Sequence, residues 1–395
     1  MSKKLLLLLL LIFAVAVYFM LPHEPGDMSS ITRYTFKDIK SVVLSNDVIV
    51  QSEGSMYIIS SNGIIDTLPE VEGTVLGNVG HFLVVKSGEN LRIIGKNGTL
   101  LEEPLSITIK EPLIGNMTLP TRFGIGDTYV AILKPLDEYH VSLTFYYPES
   151  GKLLRYILNE NPRFLKLLSK GPFTVLGGYP DWNLYYFING TKKYKTKIPV
   201  ECGYEDYGKF SLELKENGIG YTLTSMNSVA GYFDERGIKS VGLNPSHCAE
   251  FSREQTLTTA ARGRVFDGCL VLAVKGNETY LGFYNMERYL PNLAFKAPYT
   301  NEFITSRKYA LARYENYSAV FDCSGEILRI GWPYDGAYPF GDDFLLVRYD
   351  GTKTLIHMPL ANKTYELEKI KIIGVINRGI VGTKENELLI LKIKE

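Results

Sequence analysis

Glutamine is almost missing from this chain: Gln51 and Gln255 are the only two in 395 residues. Loss of this heat-labile amide suits a protein from a hot environment, although 21 asparagines remain. Charge of one sign is also missing. Lys+Arg and Asp+Glu number 43 each, so no long-range field gathers nucleic acid. The five histidines form no HxxxH or HExxH pair and the four cysteines no CxxC, which leaves a zinc site without sequence support. There is no GxSxG elbow, no P-loop and no GxGxxG fingerprint, so no catalytic or cofactor motif is legible. Paired acids such as Glu205-Asp206 or Asp342-Asp343 are adjacent in sequence, and surface solvation explains them better than catalysis. The sequence therefore implies no cofactor and no metal, and it favours a non-enzymatic role.

The one long hydrophobic run lies at the start. Lys3 and Lys4 precede 17 apolar residues, Leu5 to Leu21. Two readings compete for residues 1–21. Leu5 to Phe13 followed by Ala14-Val15-Ala16 has the plan of a signal peptide cleaved after Ala16. The whole run, with Tyr18 at the interface, approaches the roughly 20 residues that span a bilayer, and an uncleaved membrane anchor is the preferred reading. Both leave the remainder outside the cytoplasm. Residues 22–30 (PHEPGDMSS) then read as a linker. An external location gives meaning to six N-x-S/T sequons, at Asn97, Asn116, Asn189, Asn277, Asn316 and Asn362. Chance supplies roughly two or three, so glycosylation is expected, although NGT and NKT are also good turn sequences.

From Ile31 to Glu395 the chain alternates short apolar runs with Gly/Asn/Asp/Ser turns, and no stretch holds a helical period. One phrase, a polar turn followed by an apolar strand, recurs nine times. It appears as EGSMYII, SGENLRII, DEYHVSLTFYY, DWNLYYF, SMNSVAGYF, GNETYLGFY, ENYSAVF, DGTKTLIHM and KENELLIL. The spacing is about 34 to 50 residues, near 40 on average, the period of four-stranded propeller blades. This grammar resembles the WD-repeat and quinoprotein-like β-propellers across residues 31–395. The Trp-Asp dipeptide of the first is absent, and Trp182 and Trp332 are the only tryptophans, too few for the docking motif of the second. The resemblance implies an all-β chain: a single propeller of eight or nine four-stranded blades. The last copy ends after three strands, so ITRYTFKDI is expected to supply its outer strand and remove a free edge.

In such a blade, the links between second and third strands and between successive blades share one face. The other two turns share the opposite face. On that rule Cys202 pairs with Cys248 on the first face and Cys269 with Cys323 on the second, each bond joining adjacent blades. Sequence alone leaves three connectivities open, and such bonds persist in an oxidising compartment. The same rule gathers the long connectors at residues 103–121, 200–208, 243–261 and 331–340. Their Tyr204, Glu205, Asp206, His247, Glu250, Arg253, Trp332, Tyr334, Asp335 and Tyr338 are the candidate binding residues. Aromatic faces beside carboxylates suit a protein or glycan partner. The leading expectation is a non-catalytic cell-surface scaffold on the outer face of the membrane, with no nucleic-acid partner. Two alternatives are an extracellular propeller enzyme with acids at the channel mouth, and a structural subunit of a cell-surface layer.

Overall fold

The computed structural model describes residues 28–60, 63, 65–111, 115–163, 165–178, 183–197, 209–215, 218–224, 229–234, 237–242, 262–274, 279–285, 292–376 and 379–393. Among them there is strand, turn and loop but no helix. None of them forms a helix long and apolar enough to cross a membrane. The hydrophobic leader lies outside the described residues.

Among the described residues, nine four-stranded antiparallel sheets follow one another, with one two-stranded hairpin between the second and third. They occupy residues 39–69, 74–104, 122–159, 165–197, 209–242, 262–297, 303–330, 336–368 and 371–393, and the hairpin occupies 106–120. In the first eight sheets the strands pair in simple chain order, up and down, which is the strand order of a propeller blade. The ninth has only three strands of its own, and Met28–Thr35 completes it by pairing with Glu387–Ile393. That segment begins three residues ahead of the expected Ile31, because a bulge at Met28/Ser30 extends the pairing to Ile393.

Burial explains why these sequences form these strands. A middle strand has neighbours on both edges and a sheet packed on each side, so both of its faces are dry. Phe173–Gly178, the second strand of the fourth sheet, is buried at every position, and His140–Tyr147, a third strand, is buried from Val141 to Tyr146. Two-sided burial calls for continuous apolar runs rather than alternation. Outer strands have a solvated face and alternate, as Lys152–Asn159 does. The nine recurring phrases fall on the third strands of the nine sheets.

Close approaches between successive sheets run mainly through their first strands, so the sheets splay from a shared inner line. Gly77 shows how tight that line is. A Cβ there would lie 2.4 Å from the Ser45 hydroxyl of the first sheet and 2.8 Å from Ile125 of the third. The ninth and first sheets share a core too, with Val381 and Leu388 packed on Val48, Val50 and Ile59.

The sequence missed one element. The connector at residues 103–121 carries the extra hairpin, Ser106–Glu111 with Gly115–Pro120. Ile109 and Leu119 are its buried residues, 7% and 6% exposed. Two short alternating strands without a place in the repeat read as loop.

Candidate functional site

The up-and-down order fixes two faces. Links between sheets and links from second to third strand lie on one, called the connector face. Turns from first to second and from third to outer strand lie on the other, the hairpin face. Cys269 opens a second strand in the sixth sheet and Cys323 follows a third strand in the seventh, so both belong to the hairpin face. They are disulfide-bonded, with Cα atoms 5.5 Å apart, the pairing the topological rule expected. Cys202, Cys248 and Asn277 lie outside the described residues.

On the connector face, an open cleft of about 430 Å³ is lined by Tyr299, Thr300, Glu302, Arg313, Tyr314 and Glu315. Two links of the seventh sheet build it: residues 298–302, entering the sheet, and residues 314–317, joining its second and third strands. Backbone hydrogen bonds lock one link to the other. Arg313 N–H donates to the Glu302 carbonyl at 2.8 Å, and the Thr300 hydroxyl donates to the Arg313 carbonyl at 2.7 Å. Tyr314 ties the far side, its hydroxyl donating to the Pro298 carbonyl at 3.1 Å and its N–H to the Tyr317 carbonyl at 2.8 Å. Tyr299 hydrogen-bonds Asn301 at the rim.

The aromatic wall is built in layers. Tyr314 and Tyr317 stack at 4.8 Å, and the Arg329 guanidinium lies 4.6 Å over Tyr317. Arg329 is itself held by Glu326 through two bonds, of 2.9 and 3.0 Å, a bidentate pairing that fixes its plane. Burial raises the pKa of the Tyr314 and Tyr334 phenols, so both are neutral groups at physiological pH. Arg313 and Glu302 face each other at 3.8 Å, both substantially exposed, a pair too solvated to hold much energy. The cleft thus presents two carboxylates, one cation and phenol edges: a polar recognition surface on a rigid frame. Among the described residues no three His, Cys, Asp or Glu side chains gather around one point, so no metal-ligand set is present there.

The candidate residues of the next connector have varied roles, and Tyr334 touches the cleft. Tyr334 is 8% exposed, shares a 2.9 Å hydrogen bond with Ser318, and lies under the Arg313 guanidinium at 4.9 Å. It supports the cleft from behind. Asp335 is exposed, but its carboxylate accepts the Tyr349 N–H at 2.7 Å and its own N–H donates to Val347 at 2.7 Å, so one oxygen closes the loop and the other faces water. Trp332 is half-buried, its ring 5.4 Å from His357. Tyr338 is half-buried against the core of the eighth and ninth sheets. Tyr204, Glu205, Asp206, His247, Glu250 and Arg253 lie outside the described residues.

None of the six cleft residues was legible as a site. Residues 314–317 form a short link that reads as an ordinary turn, and residues 298–302 resemble a spacer. The signal lay in the topology. The short link between second and third strands shares a face with the long connectors, and two tyrosines in four residues stand there.

No family model matches this chain, and no curated protein matches it. Solved structures do. The WD40 domain of SCAP from fission yeast aligns with a TM-score of 0.41 at 8% identity, covering 93% of this chain and 98% of that one. Saccharomyces cerevisiae Sqt1 aligns at 0.40 with 10% identity, covering 88% and 100% respectively.

Proposed function

We propose that the chain is an extracytoplasmic, non-catalytic binding propeller. Its nine sheets form nine blades of one ring, closed by Met28–Thr35, and its connector face holds a segment of a protein partner. The observation that carries the docking site is the cleft at Tyr299–Glu315. Exposed carboxylates and phenol edges converge there on links whose backbone is fixed by hydrogen bonds. Rigid links cost little ordering entropy on binding, and tyrosine combines apolar area with a polar tip. The shared core of the first and ninth sheets supports closure. The Cys269–Cys323 bond supports an oxidising compartment, and the apolar leader supports tethering to the outer face of a membrane.

The test uses the full chain purified from detergent-solubilised membranes of its own cells. Glu315 is exposed, so Glu315→Arg reverses a charge at the cleft without disturbing the core. The expected result is a stoichiometric protein partner retained by the native chain and weakened at least tenfold by the variant. Equal retention by both, or a pure glycan ligand in place of protein, would contradict the reading.

A further inference from the structure

Three of the six sequons share one position in the fold. Asn97, Asn189 and Asn362 all stand at the tip joining third to outer strand, in the second, fourth and eighth sheets. All three are exposed. Turn geometry accounts for part of each motif, since Asn189 and Asn362 have φ of 47° and 50°, and Gly98 has φ of 106°. At Asn362 the motif's Thr364 is half-buried and its hydroxyl shares a 3.0 Å hydrogen bond with His357, but turn geometry does not account for the threonines that follow the other two. Thr99 and Thr191 are exposed at the start of their outer strands. Nor does this tip require the motif. The third sheet turns through Glu149-Ser150-Gly151. The seventh turns on Asp322, whose carboxylate accepts the N–H groups of Ser324 at 2.7 Å and Gly325 at 3.0 Å.

On the connector face, where Asn116 also stands exposed in the extra hairpin, the sequon at the cleft is built differently. Asn316 is exposed at the cleft rim, but Ser318, its third residue, is 3% exposed and its hydroxyl is engaged by Tyr334 at 2.9 Å. The hydroxyl that completes the motif is thus withdrawn into the fold.

We infer that Asn97, Asn189 and Asn362 are N-glycosylated and that Asn316 is not, so that the hairpin face is coated and the cleft stays open. In each transfer, the asparagine Nδ2 forms a bond to the anomeric carbon of a lipid-linked oligosaccharide. The bond from that carbon to the phosphate oxygen breaks, the lipid phosphate leaves with the electron pair, and the amide gives up one proton. The Cys269–Cys323 disulfide on the same face belongs to the kind of compartment where such transfer occurs. The inference rests on the extracytoplasmic placement proposed above.

Site-resolved glycopeptide mass spectrometry on the full chain from its own cells tests it. The expected result is modification at two or more of the three tips and a bare Asn316. Thr191→Ala should abolish the modification at Asn189 and Thr191→Ser should keep it, a contrast that a purely structural threonine would not produce. Bare asparagines at two or more tips, an occupied Asn316, or equal occupancy in the two Thr191 variants would overturn it. The thiol state of Cys269 and Cys323 in the same sample separates the two failures. Bare tips with the disulfide intact refute the glycans alone, whereas bare tips with free thiols refute the placement as well.

Discussion

Two sheet interfaces in this molecule solve the same packing problem with different chemistry. Between the third and fourth sheets, tyrosines and phenylalanines interlock. Tyr129 meets Phe145 at 5.2 Å, Phe145 meets Phe187 at 5.2 Å, and Tyr156 meets Phe187 at 5.3 Å. Each tyrosine tip is then tied across or along the interface. Tyr129 hydrogen-bonds Thr174 at 2.8 Å, while Tyr147 and Tyr156 donate to the carbonyls of Asn189 at 2.8 Å and Gly190 at 3.1 Å. Between the sixth and seventh sheets the rings are phenylalanines. Phe283 stacks on Phe295 at 4.3 Å and packs on Phe321 at 4.9 Å. One phenol, Tyr314, ties to Pro298 at the connector end of this layer, and the Cys269–Cys323 bond crosses its hairpin end. Oriented polar tips and a covalent bridge both fix how one sheet sits on the next, where apolar contact alone is non-directional.

The comparison breaks first at the bridge. Cys269→Ser opens a link between residues 54 apart and is expected to cost roughly 4 kcal/mol by chain-entropy reasoning. Chemical denaturation measures the loss, and reductant should cost the native chain more stability than it costs the Cys269→Ser variant. The next effect belongs to the tyrosine interface. Gly190 has φ of 69°, and a Cβ there would lie 2.2 Å from the Tyr147 hydroxyl. Gly190→Ala is therefore expected to cost about 3 kcal/mol through strain and overpacking, with hydrogen exchange rising in the third and fourth sheets and not in the sixth and seventh.

Tyr129→Phe removes one phenol and leaves Thr174 its bond to Ser169 at 2.7 Å. The expected loss is about 1 kcal/mol, read from the denaturation midpoint. The smallest effect lies at neither interface. Lys384 and Arg33 lower the pKa of the Glu368 carboxyl below its ordinary 4.5. A lowered folded-state pKa contributes stability above the ordinary value, and that contribution is lost as pH falls through the folded value. Because all three groups are exposed, Glu368→Gln should shift stability only slightly at pH 7 and not at all at pH 2, as parallel melts would show.

The sequence carried the fold further than the site. Third strands such as Ser55–Ile59 and Tyr280–Asn285 announce themselves because their apolar runs are largely buried. The Cys269–Cys323 pairing was readable because two ends on one face of neighbouring sheets can meet. Tyr334 was readable as a connector residue but not as a buried one. Its burial comes from Ser318 and Arg313, each contributed by another element. The cleft itself was illegible for the same reason. Tyr299 and Tyr314 are 15 positions apart in sequence, and only the hydrogen bonds between two links bring them to one rim.

The central claim is that partners meet the connector face and not the hairpin face. A photo-crosslinking residue placed in turn at Glu315, on the cleft, and at Glu149, on a hairpin tip, tests it in the chain's own cells. Both positions are exposed. The account predicts a defined protein adduct from position 315 and none from position 149. An adduct from position 149 alone would contradict it.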